Sequence, residues 1–352
     1  MQRTQDSTHP PLFDPMLDRV DRVDRRGFLR LLGAASLPLL GQGCDRGDEL
    51  PGPREQFRAV NPPGELAIDV LRAKSTQSIL GEQEQLSIDN NLALTLSLGD
   101  QCRVIAPNGE QALYTVGDVR GEQGDDRCRM GLAARMRLGY SNPFAATLST
   151  FVVAPDDMTD AQAEAAGEFV ERLVDDGVSA GLVVIAPHGG NIERYTDIQA
   201  AHTQSRLANT GASSWICKGY KPGGGAYNRW HITSTEISRR SFPGLDQIAD
   251  RGFAYAVSYH GFSHDMVLVG GGAPFGLRQE IADAIELATQ GALNVKAAAE
   301  DEPYNGNSAS NVVNWLTSGG VGGVQIEQSH AAREAYALVI ADAVADVLGG
   351  YL

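Results

Sequence analysis

From about residue 150 onward, short apolar runs alternate with stretches of helical character. That alternation limits this part of the chain to an α/β layer fold. The runs cover 182–186, 254–259, 266–269 and 324–326, and the helical stretches include 159–176 and 331–348. The expected sheet is mainly parallel or mixed, flanked by helices. In such sheets ligands bind in the crevice beyond the carboxyl ends of the strands, so the polar residues found there are the candidates for chemistry.

Three runs end on such residues. The first continues into His188-Gly189-Gly190-Asn191-Ile192-Glu193, the second stops at His260-Gly261, and the last stops at Glu327. Two histidines and two carboxylates therefore fall at corresponding places on three strands. Two neutral imidazoles and one carboxylate are able to hold Zn²⁺ with its fourth position open to water, whose pKa then drops to about 7. The step from His188 to Glu193 does not match the one-face helical spacing of HExxH. It requires a tight loop that curls the glutamate back, and Gly189 and Gly190 supply the backbone freedom. His264 competes with His260 as a ligand. Gly261 and the β-pattern before it disfavour the helix that an HxxxH pair needs.

Residues 85–150 read differently. Leu92 to Leu98 and Gln101 to Ile105 alternate in period two, with a turn signal at Pro107-Asn108-Gly109, as in a small antiparallel β-rich module. Cys102 and Cys128 both fall within it and are candidates for a disulfide in an oxidising compartment. Residues 45–84 read as a linker or irregular segment. Ahead of them, Arg25-Arg26-Gly27-Phe28-Leu29 precedes a short apolar stretch, the layout of a twin-arginine export signal. Cys44 closes this 1–44 segment in a context similar to a lipoprotein box, which makes it a candidate lipid anchor. The expected location is periplasmic or extracellular. The remaining domain, 151–352, carries the strand-end residues. A formal net charge of −15 argues against a nucleic-acid partner.

The motif His188-Gly189-Gly190-Asn191-Ile192-Glu193 resembles the HGG-x-IE motif of the poly-γ-glutamate hydrolase family, first known from bacteriophages. Trp230-His231-Ile232-Thr233-Ser234-Thr235, Ser258-Tyr259-His260-Gly261 and Val324-Gln325-Ile326-Glu327-Gln328-Ser329 resemble the same family in order. The resemblance covers about 170–350. It implies a fold related to zinc carboxypeptidases, with His188, Glu193 and His260 binding zinc and Glu327 acting as general base.

Residues 188–240 hold seven basic and three acidic side chains, a local excess of four positive charges in an acidic chain. Lys221 and Arg229 are therefore expected in a basic rim that receives the carboxylates of an anionic peptide polymer. His231 is a candidate substrate contact, and Arg278 a candidate stabiliser of the oxyanion formed in amide hydrolysis. Three readings follow. One is a zinc hydrolase of a γ-glutamyl polymer, another a zinc deacylase or cell-wall amidase, and the third a surface-anchored binding protein without turnover.

Overall fold

The computed structural model describes residues 64–121, 123–155 and 157–352. The twin-arginine segment, Cys44 and the linker up to residue 63 lie outside the described residues. Six strands close into a barrel: β1 (Glu65–Arg72), β2 (Gln85–Asp89), β3 (Gln101–Ile105), β4 (Gln111–Arg120), β5 (Arg127–Met130) and β6 (Phe144–Ser149). Around the barrel they run β1-β5-β2-β4-β3-β6. Ile68, Val70, Leu86, Val104, Val116 and Leu148 point inward to its core, and α1 (Leu132–Met136) adds Ala134, whose carbonyl accepts the Tyr114 hydroxyl.

Four expectations are corrected here. The module begins at β1, inside the stretch read as linker. Leu66, Ile68 and Val70 carry a short period-two pattern, and β1 is needed to close the barrel between β5 and β6. The barrel is not purely antiparallel, because β1–β5 and β2–β4 pair in parallel. Leu92 to Leu98 form no strand, although Leu92, Leu94 and Leu96 still pack on the barrel core. Finally, Cys102 and Cys128 are free, buried thiols. They sit on β3 and β5, which two strands separate whichever way round the barrel is followed.

The second half is a seven-stranded sheet. Its strands are β7 (Phe169–Val174), β8 (Leu182–Gly190), β9 (Ser213–Gly219), β10 (Tyr255–Gly261), β11 (Val267–Gly270), β12 (Val295–Ala297) and β13 (Gly323–Gln328). Their order is β12-β11-β13-β10-β8-β9-β7. The central four, β13, β10, β8 and β9, are mutually parallel, while β11 and β7 flank them antiparallel. The expected mixed α/β architecture is what forms.

Continuous apolar runs suit central parallel strands because both faces are covered. Leu182, Val184 and Ala186 of β8 face α3 (Thr196–Arg206), α6 (Phe275–Ala288) and α8 (His330–Gly349). Val183 and Ile185 face the other way, toward Trp215, Trp230 of α4 (Ala226–Trp230), Leu245 of α5 (Pro243–Ile248) and Val313 of α7 (Val312–Trp315).

The helix expected over 159–176 divides in two. Thr159 and Gln162 form a capping box that starts α2 (Asp160–Ala166), and Gly167 ends it in the left-handed region at φ 70°. Phe169 to Val174 then pair with β9. The register of the central strands sets His260 directly beside Glu327. His188 lies three residues beyond Ile185, the partner of Ser258 on β10. Three neighbouring strands thus deliver their chemistry to one end of the sheet.

Candidate active site

His188, Glu193 and His260 are all buried and converge on one point. His188 Nδ1 lies 3.2 Å from His260 Nδ1, Glu193 Oε2 lies 3.3 Å from His188 Nδ1, and Glu193 Oε2 lies 3.4 Å from His260 Nδ1. Tetrahedral zinc with bonds of about 2.0–2.1 Å spaces its ligand atoms by about 3.3 Å. The triangle has that spacing on every edge, so these residues fit the ion.

Each triangle residue is also held by a further contact. His188 Nε2 donates to the Ile232 carbonyl at 2.8 Å, which leaves Nδ1 with its lone pair facing the triangle. His260 Nε2 lies 2.6 Å from Ser258 Oγ and 3.4 Å from Ser234 Oγ, leaving its Nδ1 similarly free. Glu193 Oε2 accepts the Gly261 N–H at 3.0 Å.

The loop that returns Glu193 needs its glycines for space as well as for freedom. A Cβ on Gly189 would stand 2.6 Å from Asp197 Cβ and 2.6 Å from the Cys217 carbonyl oxygen. Gly190 has φ +67°. The loop closes when Glu193 N–H bonds the His188 carbonyl at 2.8 Å, and Tyr195 follows at φ 79°, a left-handed position rare for a side chain of its size.

Electrostatics agree with a cation site. Glu193 is held well below the usual carboxylate range: burial opposes ionisation, but the His188 and His260 rings outweigh it. Burial lowers His188, yet Glu193 pulls it up overall, whereas burial depresses His260. Glu327, buried at the end of β13 and bonded by Gln325 Nε2 at 3.0 Å, is pushed well above the usual range by burial and by the charge of Glu193.

His231 is the nearest competitor. Its ring stands 4.2 Å from that of His188, and its Nε2 lies 4.0 Å from Glu193 Oε1, so His188, Glu193 and His231 also form a group within 4.8 Å. The His260 triangle has edges of 3.2 to 3.4 Å, whereas His231 Nε2 stands 4.0 Å from Glu193, and His231 Nδ1 is already taken by Glu84 at 2.8 Å. His260 is therefore the third ligand that the geometry favours. His264 is exposed, against Phe262 and Tyr304.

Among family models, that of the poly-γ-glutamate hydrolases matches residues 158–338. This chain belongs to the poly-γ-glutamate hydrolase family. All three triangle residues and Glu327 lie inside the matched span, and the barrel lies outside it. Similar solved structures include a bacteriophage poly-γ-glutamate hydrolase at 23% identity, covering 51% of this chain and 89% of that one with a TM-score of 0.42. The zinc-free apo form of YNDL is 22% identical, with 52% and 91% covered and a TM-score of 0.42. A metallo-carboxypeptidase from Burkholderia cenocepacia is 10% identical, with 72% and 82% covered and a TM-score of 0.36. No curated protein matches the chain.

The basic residues singled out in this family member are placed otherwise than expected. Lys221 Nζ and Arg229 Nη2 both bind Glu110 of the barrel, at 2.9 and 2.8 Å, so neither is a free rim cation. Arg278 is buried and donates to the carbonyls of Ala273 and Ala298, a structural role. The cation beside the carboxylates is instead Arg333 of α8, whose charge acts on both Glu193 and Glu327. Its guanidinium fills the space next to Gly261, where a Cβ would stand 2.3 Å away. Arg333 and Glu84 are the two site residues that sequence reasoning missed. Tyr227 stacks on His231 with ring centroids 4.3 Å apart and is pushed up by burial and the charges of Glu84, Glu193 and Glu327.

Proposed function

We propose that this family member is a zinc-dependent hydrolase of amide bonds, with a γ-glutamyl polymer as its substrate. The observation that carries this reading is the triangle of His188, Glu193 and His260 donor atoms at 3.2 to 3.4 Å. Zinc bound there supplies Lewis acidity toward an amide carbonyl and toward water.

The chain's own residues do the rest. Glu327 takes a proton from the attacking water as the new C–O bond forms. It returns that proton to the amide nitrogen as the C–N bond breaks, so one carboxyl group serves as base and then acid. A raised Glu327 suits this traffic, because proton transfer works best when the group's pKa approaches the working pH. Arg333 offers a fixed positive charge beside the two carboxylates, and the buried surroundings strengthen it.

The test is incubation of the purified protein with poly-γ-glutamate, with and without a chelator. The reading expects shortened polymer that the chelator abolishes and added zinc restores; intact polymer in every arm contradicts it. The pairing of Lys221 and Arg229 with Glu110 favours a second reading in which the same site cuts a less anionic amide. Faster cleavage of a neutral amide polymer in the same assay would select it. We also place the protein outside the cytoplasm, on the layout of Arg25 and Arg26 before an apolar stretch. Replacing both arginines by lysine should retain it in the cytoplasm, and unchanged export would refute that. Among the described residues no helix is long and apolar enough to cross a membrane.

A further inference from the structure

The barrel sends one carboxylate into the metal site. Glu84 is buried just before β2, and both of its oxygens are engaged by the segment 231–233. Oε1 lies 2.8 Å from His231 Nδ1, while Oε2 accepts Thr233 N–H and the Thr233 hydroxyl, each at 3.2 Å. Ile232, between those two anchors, gives its carbonyl to the metal ligand His188, and Ser234 reaches the ligand His260. Arg137, also of the barrel half, donates to the carbonyl of Asn228 at 2.7 Å and lies 3.4 Å from that of His231.

We propose that Glu84 is a positioning residue for the metal centre: by clamping residues 231–233 it sets the orientation of His188 and His260. The barrel is then a working half of the site rather than an attached recognition module. The inference rests on the zinc reading above, but Glu84 lies outside the family's matched span of 158–338. Partners that orient metal-bound histidines are worth roughly 10–100-fold in metal affinity. Glu84 acts one step further out, through a backbone carbonyl, so the lower part of that range is expected.

The experiment measures zinc affinity by competition with a chromophoric chelator on the full chain, alongside thermal unfolding of the metal-free forms. Glu84→Ala should weaken zinc binding about tenfold or more. Glu84→Gln, which keeps one acceptor for His231 but sets an NH₂ against Thr233, should weaken it less while unfolding near the wild-type temperature. Glu110→Gln touches the same barrel contact without reaching the ligands and should leave zinc affinity unchanged. Wild-type affinity in Glu84→Ala overturns the proposal. If Glu84→Ala fails to fold, wild-type affinity in folded Glu84→Gln does the same. Equal weakening in Glu110→Gln would also overturn it, since the effect would then be general loosening of the barrel contact. A wild-type protein that binds no zinc overturns the zinc reading itself, an outcome distinct from all of these.

Discussion

Replacing Gly189 by alanine tests how tightly the ligand loop is built. The added methyl would lie 2.6 Å from Asp197 Cβ and from the Cys217 carbonyl oxygen, roughly an ångström inside ordinary contact. Neither neighbour yields easily. Asp197 is in the first turn of α3, and the Cys217 carbonyl belongs to β9, which is paired on both sides, with β8 and β7. The loop must therefore move instead, and Glu193 moves with it. Overpacking of this kind costs about 1–3 kcal/mol, which corresponds to a thermal shift of a few degrees for each kcal/mol. The effect on function should be larger than the effect on stability, because a misplacement of about 1 Å can cost around a hundredfold in rate. Calorimetry and a zinc-competition titration on the same sample measure both. A Gly189→Ala protein with wild-type unfolding temperature and wild-type zinc affinity would refute the packing argument.

Other outcomes follow from the same geometry. Glu327→Gln should keep zinc and fold but lose turnover by roughly two to four orders of magnitude; near wild-type turnover in steady-state assays would make Glu327 structural. Glu110→Gln should free Lys221 and Arg229 and lower KM for an anionic polymer by up to about fivefold, the worth of a partly exposed ion pair. That gain should vanish at high salt, and an unchanged KM at low salt would show that these cations never meet substrate. Reversing Lys221 and Arg229 to glutamate should lower the unfolding temperature, since three acids would then crowd at Glu110; an unchanged melting curve would contradict the clamp.

The strand ends were legible in the sequence because β8, β10 and β13 are apolar runs that stop on His188, His260 and Glu327, with no tertiary knowledge needed. The return of Glu193 was legible for a similar reason, since paired glycines before a carboxylate admit few loops. What stayed hidden depends on distant pairing. Counting charges over 188–240 suggested a basic rim, but the counter-charge Glu110 is 111 residues from Lys221 and 119 from Arg229 along the chain. Glu84 meets His231 across 147 residues. Arg333 reads as one polar position on a long helix until α8 is docked beside β10. Residues 169–174 fit a helical pattern as well as a strand pattern, and only the edge of β9 decides between them.

Zinc content measured by elemental analysis in four variants tests the metal centre most directly. The geometry predicts about one zinc per chain in the wild type and in His231→Ala, and its loss in His188→Ala, Glu193→Ala and His260→Ala. Zinc retained in His260→Ala but lost in His231→Ala would contradict the triangle and move the site onto the competing group.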